Sequence, residues 1–249
     1  MNRFKPGLWP TLIVLLLLPV LASLGFWQLD RGEQKRMMLD LYAERRSAEP
    51  VAIGAVLYVE DAAWRRVHVR GRFDAEHSVL MDNSIREGHV GVELLQPFVD
   101  HASGLWLLIN RGWLPWQDRR TTPVFTTPDR VLELDAWVYL PTRAAFQLQA
   151  DTPQGSWPRL VTAVAADQLW NELGREGYPD ELRLEPGPAA YRVDWPVVAI
   201  SPEKHTAYAV QWFALSTALL GLYLYRGWFL GRASQEDAHG NRHEPRRPV

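Results

Sequence analysis

The side chains in this sequence best suited to hold a cofactor stand at the edges of two long apolar runs. His205, Tyr208 and Trp212 open the second run. At about 100° per residue they fall within about 60° of one another on a helix. That makes one stripe with an imidazole at its lip and aromatic rings below. Neutral imidazole is an axial ligand of haem iron, and aromatic walls suit a porphyrin face. The plainer alternative is interfacial anchoring, in which His205 and Tyr208 simply favour the headgroup layer. Gln28 and Gln211 add polar groups near the same lip, candidates for a hydrogen bond between helices. Each neighbours a tryptophan, in Trp27-Gln28 and Gln211-Trp212. On these residues alone both readings stay open.

The rest of the chain offers less chemistry. His68, His77, His89 and His101 are spread through separate strand and turn segments. Asp74, Glu76, Asp82 and Glu93 show no spacing that selects an acid/base pair. No Gly-x-Ser-x-Gly, phosphate-binding glycine loop, His-Glu-x-x-His or Cys-x-x-Cys is present, so no catalytic residue is expected. The 249 residues contain no cysteine, which excludes disulfides, thiolate metal sites, thiol nucleophiles, a lipidated N-terminal cysteine and a copper-thiolate role. The balance of 27 basic and 29 acidic residues gives no reason to expect nucleic acid.

Two runs of membrane-crossing length, residues 8–29 and 206–225, contain no acidic or basic side chain and must carry the lip residues. Of twelve tryptophans, Trp9, Trp27, Trp212 and Trp228 lie at or near the run ends, where an amphipathic ring suits the headgroup region. A cleavable signal peptide is the alternative for the first run, with Arg3 and Lys5 as its charged start and Val20-Leu21-Ala22 as its cleavage site. Apolar character continues past that site through Leu24, Phe26, Trp27 and Leu29, which argues for retention. The short residues 1–7 leave no room for a transit peptide, so a bacterial inner membrane is expected rather than an organelle. Arg226, Arg232, Arg242, Arg246 and Arg247 follow the second run, and Arg3 and Lys5 precede the first; Arg31, Lys35 and Arg36 oppose them. On balance the termini (residues 1–7 and 226–249) read as cytoplasmic and residues 30–205 as periplasmic.

Between the runs, Met37, Met38, Leu41 and Tyr42 sit at helical spacing among charges, as if the first helix continues out of the membrane. Beyond Pro50 the pattern alternates. Val67, Val69, Gly71 and Phe73 interleave with Arg66, His68, Arg70 and Arg72, a half-buried strand with a basic face. Further strands are predicted at 78–82, 90–99, 105–110, 131–139 and 191–200. A helix is predicted from an Asp167 N-cap to a stop at Gly174, and a long loop over 174–188. The tail after Gly231 reads as polar and disordered. The fold class is membrane α+β: two transmembrane helices flanking an antiparallel, β-rich periplasmic domain, barrel- or sandwich-like, with few helices.

Gly25-Phe26-Trp27-Gln28-Leu29-x-Arg31 followed by Lys35 resembles the first-span signature of the Surfeit locus protein 1 family. Arg66–Phe73 with Leu80-Met81-Asp82-Asn83, Asn110-Arg111-Gly112-Trp113-Leu114-Pro115, and His205-x-x-Tyr208-Ala209-Val210-Gln211-Trp212-Phe213 are similar to its later motifs, in order. The resemblance implies an assembly factor for haem-copper cytochrome c oxidase that receives haem a and helps its insertion into subunit I. Oxidase subunit I, haem a synthase and membrane lipid are the partners implied. The family's candidate iron-ligating histidine falls on His205, with Tyr208, Trp212, Gln211, Gln28 and Trp27 as the surrounding cofactor site. Segment 174–188 matches nothing in the family pattern. Arg111 would pair with a haem propionate or close a salt bridge inside the fold. With Arg66, Arg70 and Arg72 it also counts as a candidate contact surface. The competing reading is a haem-independent scaffold for newly inserted oxidase subunits, using that basic strand face. A periplasmic sensor or enzyme on a two-helix anchor lacks a catalytic constellation.

Overall fold

The computed structural model describes residue 4 and residues 6–140 and 156–240, except the side chains of residues 231–240. Two compact units divide the chain: Met1–Asp40 with Val197–Val249, and Leu41–Pro196. The first is built on two long helices, α1 (Leu8–Ser47) and α3 (Pro202–Gly240). Both are long and apolar enough to cross a membrane, and 11 % of the most apolar stretch of each is buried. A core helix of a soluble protein hides its apolar residues; these present theirs outward, as lipid-facing helices do.

The helices run antiparallel. Thr11 Oγ1 lies 3.0 Å from the Tyr223 hydroxyl, Phe26 meets Phe213 edge-on with centroids 5.1 Å apart, and Arg36 donates to Thr206 Oγ1 at 3.4 Å. The seam uses small residues: Gly25 and Gly32 are buried on α1, Ala209 and Ser216 on α3. As the spacing of Met37, Met38, Leu41 and Tyr42 predicts, α1 continues as helix well beyond its apolar run. The tail read as disordered is helical as far as Gly240, and residues 241–249 lie outside the described residues.

The second unit is a small barrel. Its strands are β1 (Val51–Ala52), β2 (Arg66–Phe73), β3 (Val79–Arg86), β4 (His89–Asp100), β5 (Trp106–Pro115), β6 (Leu132–Tyr139), β7 (Arg159–Val161) and β8 (Gly177–Leu184). Five of them close on themselves in the order β2-β6-β8-β5-β4, with β2 returning to β4. Alternate residues fill the interior: Val67 and Val69, Leu134 and Ala136, Phe98, Leu107 and Ile109, Leu182 and Leu184. Closure occurs at Gly71, which pairs with Leu132 on one side and Asp100 on the other. An added Cβ there would run into the Val99 carbonyl, so glycine is what lets the two strands meet. Helix α2 (Ala166–Leu173) covers the outside, packing Ala166, Leu169 and Trp170 on Val79, Leu95 and Leu108. It ends at Gly174, at φ 62°, as the sequence predicts. Its N-cap is Ala165 rather than Asp167, which sits inside the first turn. The last turns of α1 belong to this unit: Tyr42 meets Trp64 and Trp137 edge-on, and Arg45 donates to the Ala63 carbonyl at 2.6 Å.

Two segments differ from the sequence reading. The expected loop over 174–188 contains β8, because Tyr178, Leu182 and Leu184 face the core while the Pro179 and acidic positions between them mask the alternation. β8 also pairs in parallel with β5, so the barrel is not wholly antiparallel. The expected strand over 191–200 is reduced to one bridge, Trp113 with Arg192.

Arg111 is a third difference. Placed on a contact surface by the sequence reading, it is 2 % exposed. Its guanidinium donates to the Gln96 side chain, the Ala189 carbonyl at 2.8 Å and the Thr126 carbonyl at 2.9 Å. It stacks between Phe73 and Tyr191, 4.9 and 5.1 Å from their centroids. Burial pulls its pKa below the ordinary value, and no carboxylate compensates among the described residues. The cation is therefore held by carbonyl dipoles and ring faces, as a strut between strand and loop. Arg111→Met strands three acceptors and should cost about 3 kcal/mol, read as a lower unfolding midpoint of the full chain in detergent. Wild-type stability would place the role of Arg111 outside the fold. Gly71→Ala should cost about 1–3 kcal/mol through overpacking at the closure, measured in the same way; no change would mean that the strands part freely there.

Candidate functional site

His205 lies in the first turns of α3, and Gln28 faces it from α1. The two meet at 2.7 Å, His205 Nδ1 to Gln28 Oε1. An amide oxygen only accepts, so Nδ1 carries the proton and the lone pair of the neutral ring lies on Nε2. Nε2 has no hydrogen-bond partner among the described residues, and it is not one of their fully enclosed unpartnered side-chain atoms. His205 is 9 % exposed, and Nε2 shares in that exposure. The two helices come close at Gly32. A Cβ there would sit 3.4 Å from His205 Cβ and 3.5 Å from the Pro202 carbonyl. Gly25, two turns earlier, allows the Phe213 ring in, since a Cβ would come within 2.6 Å of it. The sequence reading missed Gly32 and took Gly25 only as part of a motif. The legible signal was two glycines two turns apart flanking Gln28 on one helix face.

The other expected site residues are distributed differently. Trp212 is half-buried, and its carbonyl accepts from Ser216 Oγ at 2.9 Å. Tyr208 is 48 % exposed, and Gln211 is exposed beside it. Trp27 is 49 % exposed, with the Arg31 guanidinium 5.8 Å from its ring. The structure thus joins His205 to Gln28 in the seam and leaves Tyr208, Gln211 and Trp27 on outer faces. Arg36 is a near neighbour that the sequence did not single out, bonded to Thr206 Oγ1 at 3.4 Å and to Glu33 at 3.0 Å. Chemically the arrangement offers one nitrogen donor at a lip, with aromatic surface beside it on α3.

The basic face of β2 is neutralised by its neighbours. Arg66 donates to Glu185 at 2.7 and 2.9 Å, and that bond raises its pKa. His68 pairs with Asp135 at 2.7 Å, Arg70 with Glu133 at 3.3 Å and Arg72 with Asp129 at 3.8 Å. Register places the acids of β6 opposite the bases of β2, so the face is a ladder of opposite charges rather than a basic patch. Elsewhere, Asp74, Glu76 and His77 cluster in one turn. Arg175 at 2.8 Å from Asp74 already supplies the positive charge there. Buried Glu93 and Glu181 are bridged by Asn110 Nδ2 at 2.9 Å to each, with Arg86 on the first and Arg183 on the second. Burial raises the Glu181 pKa, against the pull of Arg183 and Asn110. Each acid is engaged by fold-internal partners.

The sequence profile of the SURF1 family matches residues 15–217. A SURF1-like protein of Rickettsia felis is 26 % identical over 227 residues, 86 % of this chain and 96 % of that protein. Surfeit locus protein 1 of Homo sapiens is 33 % identical over 119 residues, 41 % of this chain and 40 % of that protein. The Arabidopsis thaliana protein of the same name is 25 % identical over 126 residues, 45 % of this chain and 36 % of that protein. The profile spans both helices and the barrel between them: this chain belongs to the SURF1 family.

Proposed function

We propose that the protein is an assembly factor for haem-copper cytochrome c oxidase in which His205 would hold the iron of haem a on its way from haem a synthase into subunit I. Family membership supports the assembly role. The haem part is carried by one observation: a histidine whose Nδ1 is held by Gln28 and whose Nε2 is left with a free lone pair. The donor chemistry fits, since haem iron takes a neutral imidazole nitrogen whose partner nitrogen is tied to an acceptor. Bound there, haem a would supply an iron centre for one protein nitrogen. His205 would hold the iron, with Tyr208, Trp212 and Trp27 as ring surfaces and Gln28 and Gln211 as polar neighbours. The charge ladder on β2 and β6 weakens the competing scaffold reading, which relied on a basic face.

In this reading α1 and α3 cross a bacterial inner membrane in contact with its lipids. The barrel is periplasmic and both termini are cytoplasmic. The arginines after the second span support that orientation.

Co-expression with haem a synthesis, followed by absorption spectra of the purified protein, tests the ligand. His205→Ala should lower haem occupancy by about tenfold or more; equal occupancy would remove His205 as ligand, and a wild type that carries no haem would favour the haem-independent scaffold. The orientation has a clean assay because the chain lacks cysteine. Tyr58, 94 % exposed on the barrel unit, can be replaced by Cys. An impermeant maleimide should label it in intact spheroplasts, and labelling that requires lysis would invert the topology.

A further inference from the structure

We infer that Gln28 is a positioning residue: its neutral amide oxygen fixes His205 in the tautomer that presents Nε2 and keeps that nitrogen a weak, releasable ligand. The inference rests on the proposed haem role of His205 and deepens it. Three observations carry it. The bond from Nδ1 to Gln28 Oε1 is 2.7 Å, a full-strength contact. Gly32, one turn beyond Gln28, brings the α1 backbone to the His205 Cβ, so the amide reaches the ring from a fixed support. Among the described residues no carboxylate bonds to the ring; the nearby acid Glu33 is engaged by Arg36 at 3.0 Å.

The acceptor type matters. A carboxylate on the far nitrogen of a ligating histidine draws its proton and raises ligand basicity. An amide oxygen orients the ring as well but carries no charge, so Nε2 stays an ordinary neutral imidazole donor. A resident haem favours the first arrangement. A cofactor that has to leave favours the second.

The test uses the full chain in detergent. In haem-free protein with ring-labelled histidines, nitrogen NMR reports the tautomer, and His205→Ala identifies the His205 signals among those of the seven histidines. The wild type should carry its proton on Nδ1 with an unprotonated Nε2. Gln28→Met, close in shape but a poor acceptor, should give mixed tautomers in a protein that still folds, with at most a small loss of thermal stability. Gln28→Glu should restore the single tautomer. In protein loaded with haem a, transfer to apomyoglobin should be about tenfold slower from Gln28→Glu than from wild type. A wild-type proton on Nε2, or a tautomer indifferent to Gln28→Met, overturns the positioning role. Transfer from Gln28→Glu as fast as wild type overturns the weak-ligand role. Should Gln28→Glu fail to accumulate, Gln28→Met must show reduced haem a occupancy, and wild-type occupancy would overturn the inference. If His205→Ala keeps its haem a while the tautomer results hold, the ligand reading alone fails, and the bond between the two side chains is structural.

Discussion

Polar side chains on otherwise apolar helices gain most by finding each other, because hydrocarbon offers them nothing else. His205 and Gln28 do so at 2.7 Å. Such a bond is worth about 0.6–2 kcal/mol within a membrane, too little to hold two helices together. Packing does that: Phe213 into the space left by Gly25, Phe26 against Phe213, and Tyr223 against Thr11 near the other end. The hydrogen bond settles finer matters, the register of the helices at the lip and the proton on the ring. Gly32 lies beside it, where a Cβ would just touch His205 Cβ at 3.4 Å.

The barrel obeys the same rule with different partners. Its buried charges are compensated where they stand: Arg111 by carbonyls and rings, Glu93 by Ser84, Arg86 and Asn110, and Glu181 by Asn110 and Arg183. Buried groups matched this closely stiffen a fold and leave little capacity for a ligand. Outside, the β2 and β6 ladder consists of exposed pairs of the kind worth about 0–1 kcal/mol each, so it says more about register than about stability. On the helix pair, by contrast, the ring of His205 keeps one nitrogen without a hydrogen-bond partner among the described residues.

What the sequence made legible followed from local pattern. β2 alternates plainly, β4 and β5 show as short runs between turns, α2 ends at its glycine, and the apolar runs became α1 and α3. What it hid required partners distant in sequence. β8 looks like a loop until β5 and β6 flank it, since Pro179, Asp180 and Glu181 interrupt its apolar face. Arg70 and Arg72 look basic until Glu133 on β6 and Asp129 in the loop before it arrive. Arg111 reads equally as a propionate partner, an internal salt-bridge residue or a contact residue, and only closure of the barrel shows it enclosed. At the site, the helical wheel put His205, Tyr208 and Trp212 on one stripe, but it could not say which of them points into the seam. Gln28 and Gly32 on the opposite helix decide that.

The difference between an amide and a carboxylate behind His205 is the right size to matter for a carrier. Hydrogen bonds to neutral groups contribute about 0.5–1.5 kcal/mol and those to charged groups about 1.5–3 kcal/mol. A change of about 1.4 kcal/mol is tenfold in affinity. Exchanging one acceptor for the other therefore moves a ligand between passing on its metal and keeping it, without altering the ligating atom. A neutral acceptor also avoids setting an uncompensated negative charge at the edge of the hydrocarbon, where Arg36 is already committed to Glu33 and Thr206. One uncharged side chain thus meets two demands at the lip, a fixed tautomer and a site without net charge, and an acidic residue in its place would satisfy only the first.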